Sequence, residues 1–157
     1  MKSLQELLTS TNFCVIVPTY NNQKTLKKVL DSILDFTTNV IIVNDGSTDS
    51  TSEILKSYSQ LTQIHHPKNL GKGRALRNGF RKALELDFEY AITIDSDGQH
   101  FAVDIPVFLE AVQNEPNTLL IGSRNMTQEN VPKKSSFGNK FYNFWFKVET
   151  GIKLDDT

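Results

Sequence analysis

Short apolar runs alternate with segments of helical periodicity, and this alternation constrains the chain's fold more than any other feature. FCVIVP (13–18), NVIIVND (39–45), YAITID (90–95) and TLLIGS (118–123) read as strands, and TQIHHP (62–67) as a weaker one. Between them, Leu26, Val29, Leu30, Ile33 and Leu34 recur at the spacing of one helix face. STSEILKSY (50–58) opens a second helix, with Ser50 and Glu53 at capping-box spacing. GRALRNGFRKALEL (73–86) reads as a third, apolar at Ala75, Leu76, Phe80, Ala83 and Leu84, and IPVFLEAV (105–112) as a fourth. Strands apolar on both faces and separated by helices imply a mostly parallel sheet covered on both sides, an α/β fold.

In such sheets ligands bind beyond the carboxyl ends of the strands. The polar clusters fall there: PTYNN after the first strand, NDGSTDS after the second, DSDGQH after the fourth and GSR after the fifth. Four separate segments thus converge on one edge. The chain's 157 residues suit a single domain, 1–157, with a real core. A net charge of −1 gives no argument for nucleic acid or an anionic membrane surface, so any anion site must come from local placement of basic residues. The one cysteine, Cys14, reads as a small core residue, and no internal disulfide is possible. MKSLQELLTS carries Glu6 and no continuous apolar stretch, which makes a poor signal peptide, and no run approaches membrane-spanning length. The expected location is the cytoplasm.

TIDSDGQHF (93–101) carries the chemistry. Asp95 and Asp97 stand two apart at a strand end, and carboxylates that close repel unless a positive group lies between them. The next helix has its own cap candidate in Asp104. A calcium loop counted from Asp95 fails, because His100 stands at its sixth position and Pro106 at its twelfth. A hard cation, Mg²⁺ or Mn²⁺, completed by substrate phosphates remains. In VNDGSTDST, Gly46 suits a turn and Asp49 and Ser50 suit a cap. Asp45 is left over; it either serves the turn or accepts hydrogen bonds from a nucleobase or ribose. KNLGKGRALRNG is not a P-loop, and no G-x-G-x-x-G follows the first strand. Its helix start still suits an anion, with Arg74, Arg77, Arg81 and Lys82 mainly solvating the outer face. His65, His66 and His100 lack zinc spacing and cysteine partners; His65 and His66 read as surface residues at a strand end. No G-x-S-x-G elbow is present.

VPTYNN, VNDGSTDST, NLGKGRALRNG, DSDGQH and GSR, in this order over residues 13–156, resemble the family 2 glycosyltransferases of the GT-A fold, most of all the polyprenyl-phosphate (dolichyl-phosphate) sugar synthases. The resemblance implies transfer of a sugar from a UDP- or GDP-sugar, usually with inversion, to a polyprenyl phosphate or a growing saccharide. It implies that Pro18, Tyr20 and Asp45 line the nucleobase and ribose pocket, with Asn22 a further donor contact and Gly71 and Lys72 near the nucleotide. Asp95 and Asp97 would hold the metal, with Gln99 beside them, and Arg124 would contact the phosphates. Asp156 matches the acidic residue of a later segment, a general base where the acceptor is a hydroxyl. The chain departs from the pattern at Asn22, where a glutamate is common. It also offers Lys133 or Lys134 where an arginine is expected after GSR, and it ends at Asp156-Thr157, so a C-terminally truncated domain is expected.

Six aromatic residues between Phe137 and Phe146 must bury in a core, a partner or a membrane interface. The expected reading is packing under further C-terminal chain; the other is a lipid-facing surface near a polyprenyl acceptor, at the inner face of the membrane. A sugar nucleotidyltransferase is the competing enzyme class, but PTYNN is not the Gly-rich, lysine-bearing loop it needs after the first strand. A receiver-like or non-catalytic nucleotide-sugar binding domain is the third reading, and the third strand ends in His66-Pro67 rather than a phosphoaccepting aspartate.

Overall fold

The computed structural model describes residues 3–116 and 118–122. The elements run α1 (Leu4–Ser10), β1 (Phe13–Thr19), α2 (Leu26–Leu34), β2 (Val40–Asn44), α3 (Thr51–Lys56), β3 (Thr62–His65), α4 (Lys72–Glu85), β4 (Tyr90–Thr93), a 3₁₀ turn (Ala102–Asp104) and α5 (Ile105–Asn114). Contacts group the chain into residues 1–118 and 119–157, and the architecture below is that of the first unit.

The sheet is parallel throughout, in the order β3-β2-β1-β4. Every residue of β1 and β2 is buried, as an unbroken apolar run requires. The two-residue alternation of the strands divides the core. Phe13, Val15, Val17, Val40 and Ile42 face α2, α3 and α5. Cys14, Ile16, Ile41 and Val43 face α4. Chain direction explains this split. The β1–β2 and β2–β3 crossovers step one way along the sheet, while β3–β4 steps back past both. Right-handed crossovers then demand that α4 cover the opposite face.

α4 reaches its face of the sheet through small residues. Ala75, Gly79 and Ala83 are buried, whereas Phe80 and Leu84 are 43% and 73% exposed, so the two large residues expected inside turn outward. The reason is close approach: a Cβ on Gly79 would stand 2.5 Å from Ile16 Cγ2. A larger side chain facing the sheet would push the helix off it.

Other expectations also change. Residues 118–122 form no strand, and Leu119 and Ile121 are exposed. Ser50 makes no capping box with Glu53; its side chain caps nothing, and Asp49 Oδ1 accepts from the Thr51 amide at 2.9 Å instead. Asp104 sits at the N-cap of α5 without a side-chain cap bond, because the 3₁₀ turn leads the chain into the helix. A capping box does form at Ser3 and Glu6, where it starts α1. Cys14 is buried, and burial pushes its thiol up to about 11, so it is an inert thiol at neutral pH. Among the described residues, no helix is long and apolar enough to cross a membrane.

Candidate active site

All four strands end on one edge, and a polar network ties their loops together. Asn21, held at φ 55°, accepts through Oδ1 from the Thr48 amide at 2.8 Å, and its own amide donates to Ser47 Oγ at 3.0 Å. The Asn22 amide donates to Thr51 Oγ1, and the Gln23 amide to Asp49 Oδ2, both at 3.1 Å. PTYNN and NDGSTDS are thereby one unit. Burial alone would raise the Asp49 carboxyl; the Thr51 hydroxyl with the Thr51 and Gln23 amides outweighs it and holds the group below the usual carboxylate range.

Ser96 joins the first and fourth loops. It lies between the two aspartates and is 1% exposed. Its hydroxyl accepts from Asn22 Nδ2 at 2.6 Å and donates to the Pro18 carbonyl at 3.0 Å, while its carbonyl accepts from Thr25 Oγ1 at 2.6 Å. Buried polar groups of this kind must be paired. The middle residue of Asp-x-Asp therefore fixes the turn on which both carboxylates stand.

Asp95 and Asp97 leave that turn toward solvent. Asp97 is exposed, and its Oδ1 accepts from the Gln99 amide at 2.9 Å. The Asp95 amide donates to His100 Nδ1 at 3.1 Å, so His100 braces the backbone of the pair. Asp95 Oδ2 lies 2.6 Å from Lys72 Nζ at the start of α4. A positive group does stand beside the carboxylates, and the chain itself supplies it.

Asp45 is arranged otherwise. Its side chain is 4% exposed and accepts three hydrogen bonds. Oδ1 accepts from His66 Nδ1 at 2.6 Å and from the Leu70 amide at 2.9 Å, and Oδ2 accepts from the Gly71 amide at 2.9 Å. Burial alone would raise this carboxyl; the bonds from His66, Leu70 and Gly71 outweigh it and hold the group below the usual carboxylate range. The buried His66 side chain, expected at the surface, is 6% exposed because it serves this carboxylate. No motif contains His66, and only its place two residues before KNLGKG signals it.

Of the residues expected at the site, Tyr20, Lys72, Asp95, Asp97 and Gln99 share the open edge, with Tyr20 42% exposed. Pro18 is buried in β1 and Asn22 is held behind the edge by Ser96. Asp45 and Gly71 are bonded to each other. Arg124, Lys133, Lys134, Asp156 and the aromatic segment lie outside the described residues. Among the described residues, no three His, Cys, Asp or Glu side chains cluster as a metal cage. The donors at the edge are two hard carboxylates on one short turn. Such a pair fits Mg²⁺ or Mn²⁺ only when a substrate supplies further oxygens.

The parallel sheet covered by helices on both faces is the GT-A glycosyltransferase fold, shared with the solved structures named below. The sequence profile of glycosyl transferase family 2 matches residues 14–154, and the chain belongs to that family. It is 31% identical over 163 residues to a UDP-N-acetylglucosamine–dolichyl-phosphate N-acetylglucosaminyltransferase of Methanococcus voltae, across 91% of this chain and 65% of that protein. Among solved structures it is similar to S. aureus TarS 1-349, with a TM-score of 0.61 and 27% identity over 80% of this chain and 39% of that one. It is also similar to Mycobacterium tuberculosis glucosyl-3-phosphoglycerate synthase in complex with Mn²⁺, UDP-glucose and phosphoglyceric acid (TM-score 0.56, 25% identity, 71% of this chain and 44% of that one). The chain thus spans less than two thirds of each of these proteins.

Proposed function

We propose that this chain carries the donor site of a metal-dependent, inverting glycosyltransferase that moves a sugar from a nucleoside-diphosphate sugar, UDP-linked by preference, to a polyprenyl phosphate. The observation that carries the reading is the open edge itself: an exposed tyrosine, two carboxylates on one braced turn and a lysine reaching them from a helix start. The relative from M. voltae supports a UDP-sugar and a dolichyl phosphate, and the M. tuberculosis complex supports Mn²⁺.

The chemistry follows from charge. Breaking the bond from the anomeric carbon to the phosphate oxygen builds negative charge on the departing diphosphate. Positive groups fixed beforehand at that place lower the barrier. Asp95 and Asp97 would hold a Mg²⁺ or Mn²⁺ ion there, which supplies most of the compensating charge. Lys72 at the start of α4 adds a flexible cation beside it, and Tyr20 offers a flat face to the base. A phosphate acceptor is already ionised and needs no base to deprotonate it. Asp156 would take that role only for a hydroxyl acceptor, and Arg124 would contact the diphosphate. The place of work is the cytoplasmic face of a membrane, where a lipid phosphate is met.

Calorimetric titration with UDP and GDP, each with and without Mn²⁺, tests the donor site. Metal-dependent binding of one nucleotide, lost in Asp97→Ala, is the expected result. Failure of the folded protein to bind either nucleotide overturns the reading.

A further inference from the structure

Residues 66–71 form a strap that crosses the end of β2 and delivers the chain into α4. Its attachment is unusually complete. The His66 amide donates to the Asn44 carbonyl, which extends the β2–β3 ladder by one bond. The Leu70 and Gly71 amides end on Asp45. The strap also lies against Gly46: a Cβ there would stand 2.3 Å from the Lys68 carbonyl carbon, and Gly46 has φ +70°. Gly71 takes φ 91° and ψ 150°, which only glycine adopts without strain, and its carbonyl accepts the first helical bonds, from Arg74 and Ala75. The next residue is Lys72, which reaches Asp95.

His66 closes this assembly from the side. A carboxylate can only accept, so Nδ1 carries the proton that goes to Asp45. Nε2 lies 2.8 Å from Asn78 Nδ2, on the second turn of α4. One buried imidazole therefore links the end of β2 to the helix whose first residue points at the Asp-x-Asp turn. A leucine of similar size would fill the space and hold neither partner. Asp45 would lose one of its three donors, and a buried acceptor short of partners is costly.

We propose that His66 is a positioning residue of the donor site: through Asp45 and Asn78 it sets the strap, the start of α4 and hence the aim of Lys72 toward a nucleoside diphosphate. The proposal rests on the donor-site reading above. It gives Asp45 the task of holding the strap.

Two variants and two readouts test it. In His66→Leu, amide exchange at Leu70 and Gly71 should accelerate about tenfold or more while Ile16 and Ile42 stay protected, and UDP affinity with Mn²⁺ should fall about tenfold, as expected for loss of a bond to a charged group. His66→Asn places an amide nitrogen where Nδ1 stood. It should restore slow exchange at both amides and bring affinity back to within about threefold of wild type, because only the weaker neutral contact to Asn78 is then lost. A structural role alone would cost melting temperature in both variants without this rescue. Unchanged exchange in folded His66→Leu, or unchanged affinity, overturns the proposal. If His66→Leu does not fold, His66→Ala takes its place; it should accelerate exchange at Leu70 and Gly71 and weaken UDP binding in the same way, and no movement in the folded variant overturns the proposal. A wild-type protein that binds neither UDP nor GDP fails the donor-site reading, and the proposal's claim on the nucleotide falls with it. Exchange at Leu70 and Gly71, measured without nucleotide, distinguishes that failure from a failure of the strap.

Discussion

Lys72 Nζ stands 2.6 Å from Asp95 Oδ2, across the open edge of the sheet from one loop to another. Asp95 and Asp97 would repel each other unpaired, and in the free protein a lysine relieves part of that repulsion. The same carboxylate is one that would help to hold a divalent cation. If the proposed donor site binds metal there, lysine and metal would compete for Asp95 before the nucleotide arrives and act together around the diphosphate afterwards.

That double role predicts effects of opposite sign in one variant. Lys72→Met should bind Mn²⁺ alone more tightly, since Asp95 is free, and UDP with Mn²⁺ less tightly, since one cation is gone. Both changes should be small. The lysine side chain is 62% exposed, and an exposed ion pair contributes about 0–1 kcal/mol, so the affinities should shift about two- to fivefold. Calorimetry with Mn²⁺ and then with UDP reads both signs. Two shifts in the same direction would show that the pair does not compete with metal.

Asp45 predicts the acid behaviour of the fold. Its carboxyl lies lower in the folded protein than its ordinary value. A depressed carboxyl contributes stability that is fully present above the unfolded pKa, about 3.9, and is lost as pH falls through the folded value. Asp45→Asn should cost about 1–3 kcal/mol at pH 7, where the charged acceptor of three hydrogen bonds is lost, and should flatten the fall in stability below about pH 4. Asp31, held low by Lys27 and Tyr58, and Asp49 keep part of the slope. Urea unfolding from pH 7 to 2.5 measures it. An undiminished acid slope would mean that Asp45 is not linked to folding.

The parallel sheet was legible because buried strands and amphipathic helices leave their periods in the residues themselves. α2 runs over Leu26–Leu34, with its buried face as the spacing of Leu26, Val29, Leu30 and Ile33 requires. The converging edge was legible because β1, β2 and β4 end in the polar clusters PTYNN, NDGSTDS and DSDGQH. What escaped was decided by distance in space. Gly79 sits against Ile16 across the sheet, so the inner stripe of α4 is small where hydrophobicity favours Phe80 and Leu84. His66 and Ser96 look like ordinary polar loop residues, and only contacts 21 and 74–78 residues away show them as buried anchors. TLLIGS has strand composition, yet its described residues, 118–122, are not in a strand.

Ser96 gives a further test. Ser96→Ala removes the hydroxyl that joins Asn22 to Pro18 and leaves Asn22 Nδ2 without that partner. The cost should be about 1–3 kcal/mol, that of an unpaired buried polar group. The loss should also loosen the Asp-x-Asp turn, so metal-dependent UDP binding should weaken at temperatures where the protein is fully folded. Asn22→Ala in the same background should cost little more, because the two residues share one bond and coupled neighbours are not additive. A fully additive double variant would show that the bond carries no coupling.

Two glycines of α4 should respond in opposite ways to one methyl group. At Gly79 a new Cβ would meet Ile16 Cγ2 at 2.5 Å, with Val43 Cγ2 at 3.4 Å. Ile16 is fully buried and β-branched, so the clash is relieved only by lifting α4 from the sheet. Gly79→Ala should therefore destabilise by about 1–3 kcal/mol, the usual cost of overpacking. At Gly73 nothing lies within 4 Å of the added Cβ and the φ angle is helical, so Gly73→Ala should stabilise by about 0.5–1 kcal/mol through helix propensity alone. The gain at Gly73 rules out a general intolerance of α4 to alanine, leaving the distance to Ile16 as the cause at Gly79. Denaturant midpoints of the two variants decide the matter. If Gly79→Ala were as stable as the parent, α4 would have to stand farther from β1 than the small-residue stripe implies, and the strap and Lys72 at its start would lose the fixed base from which they reach the Asp-x-Asp turn.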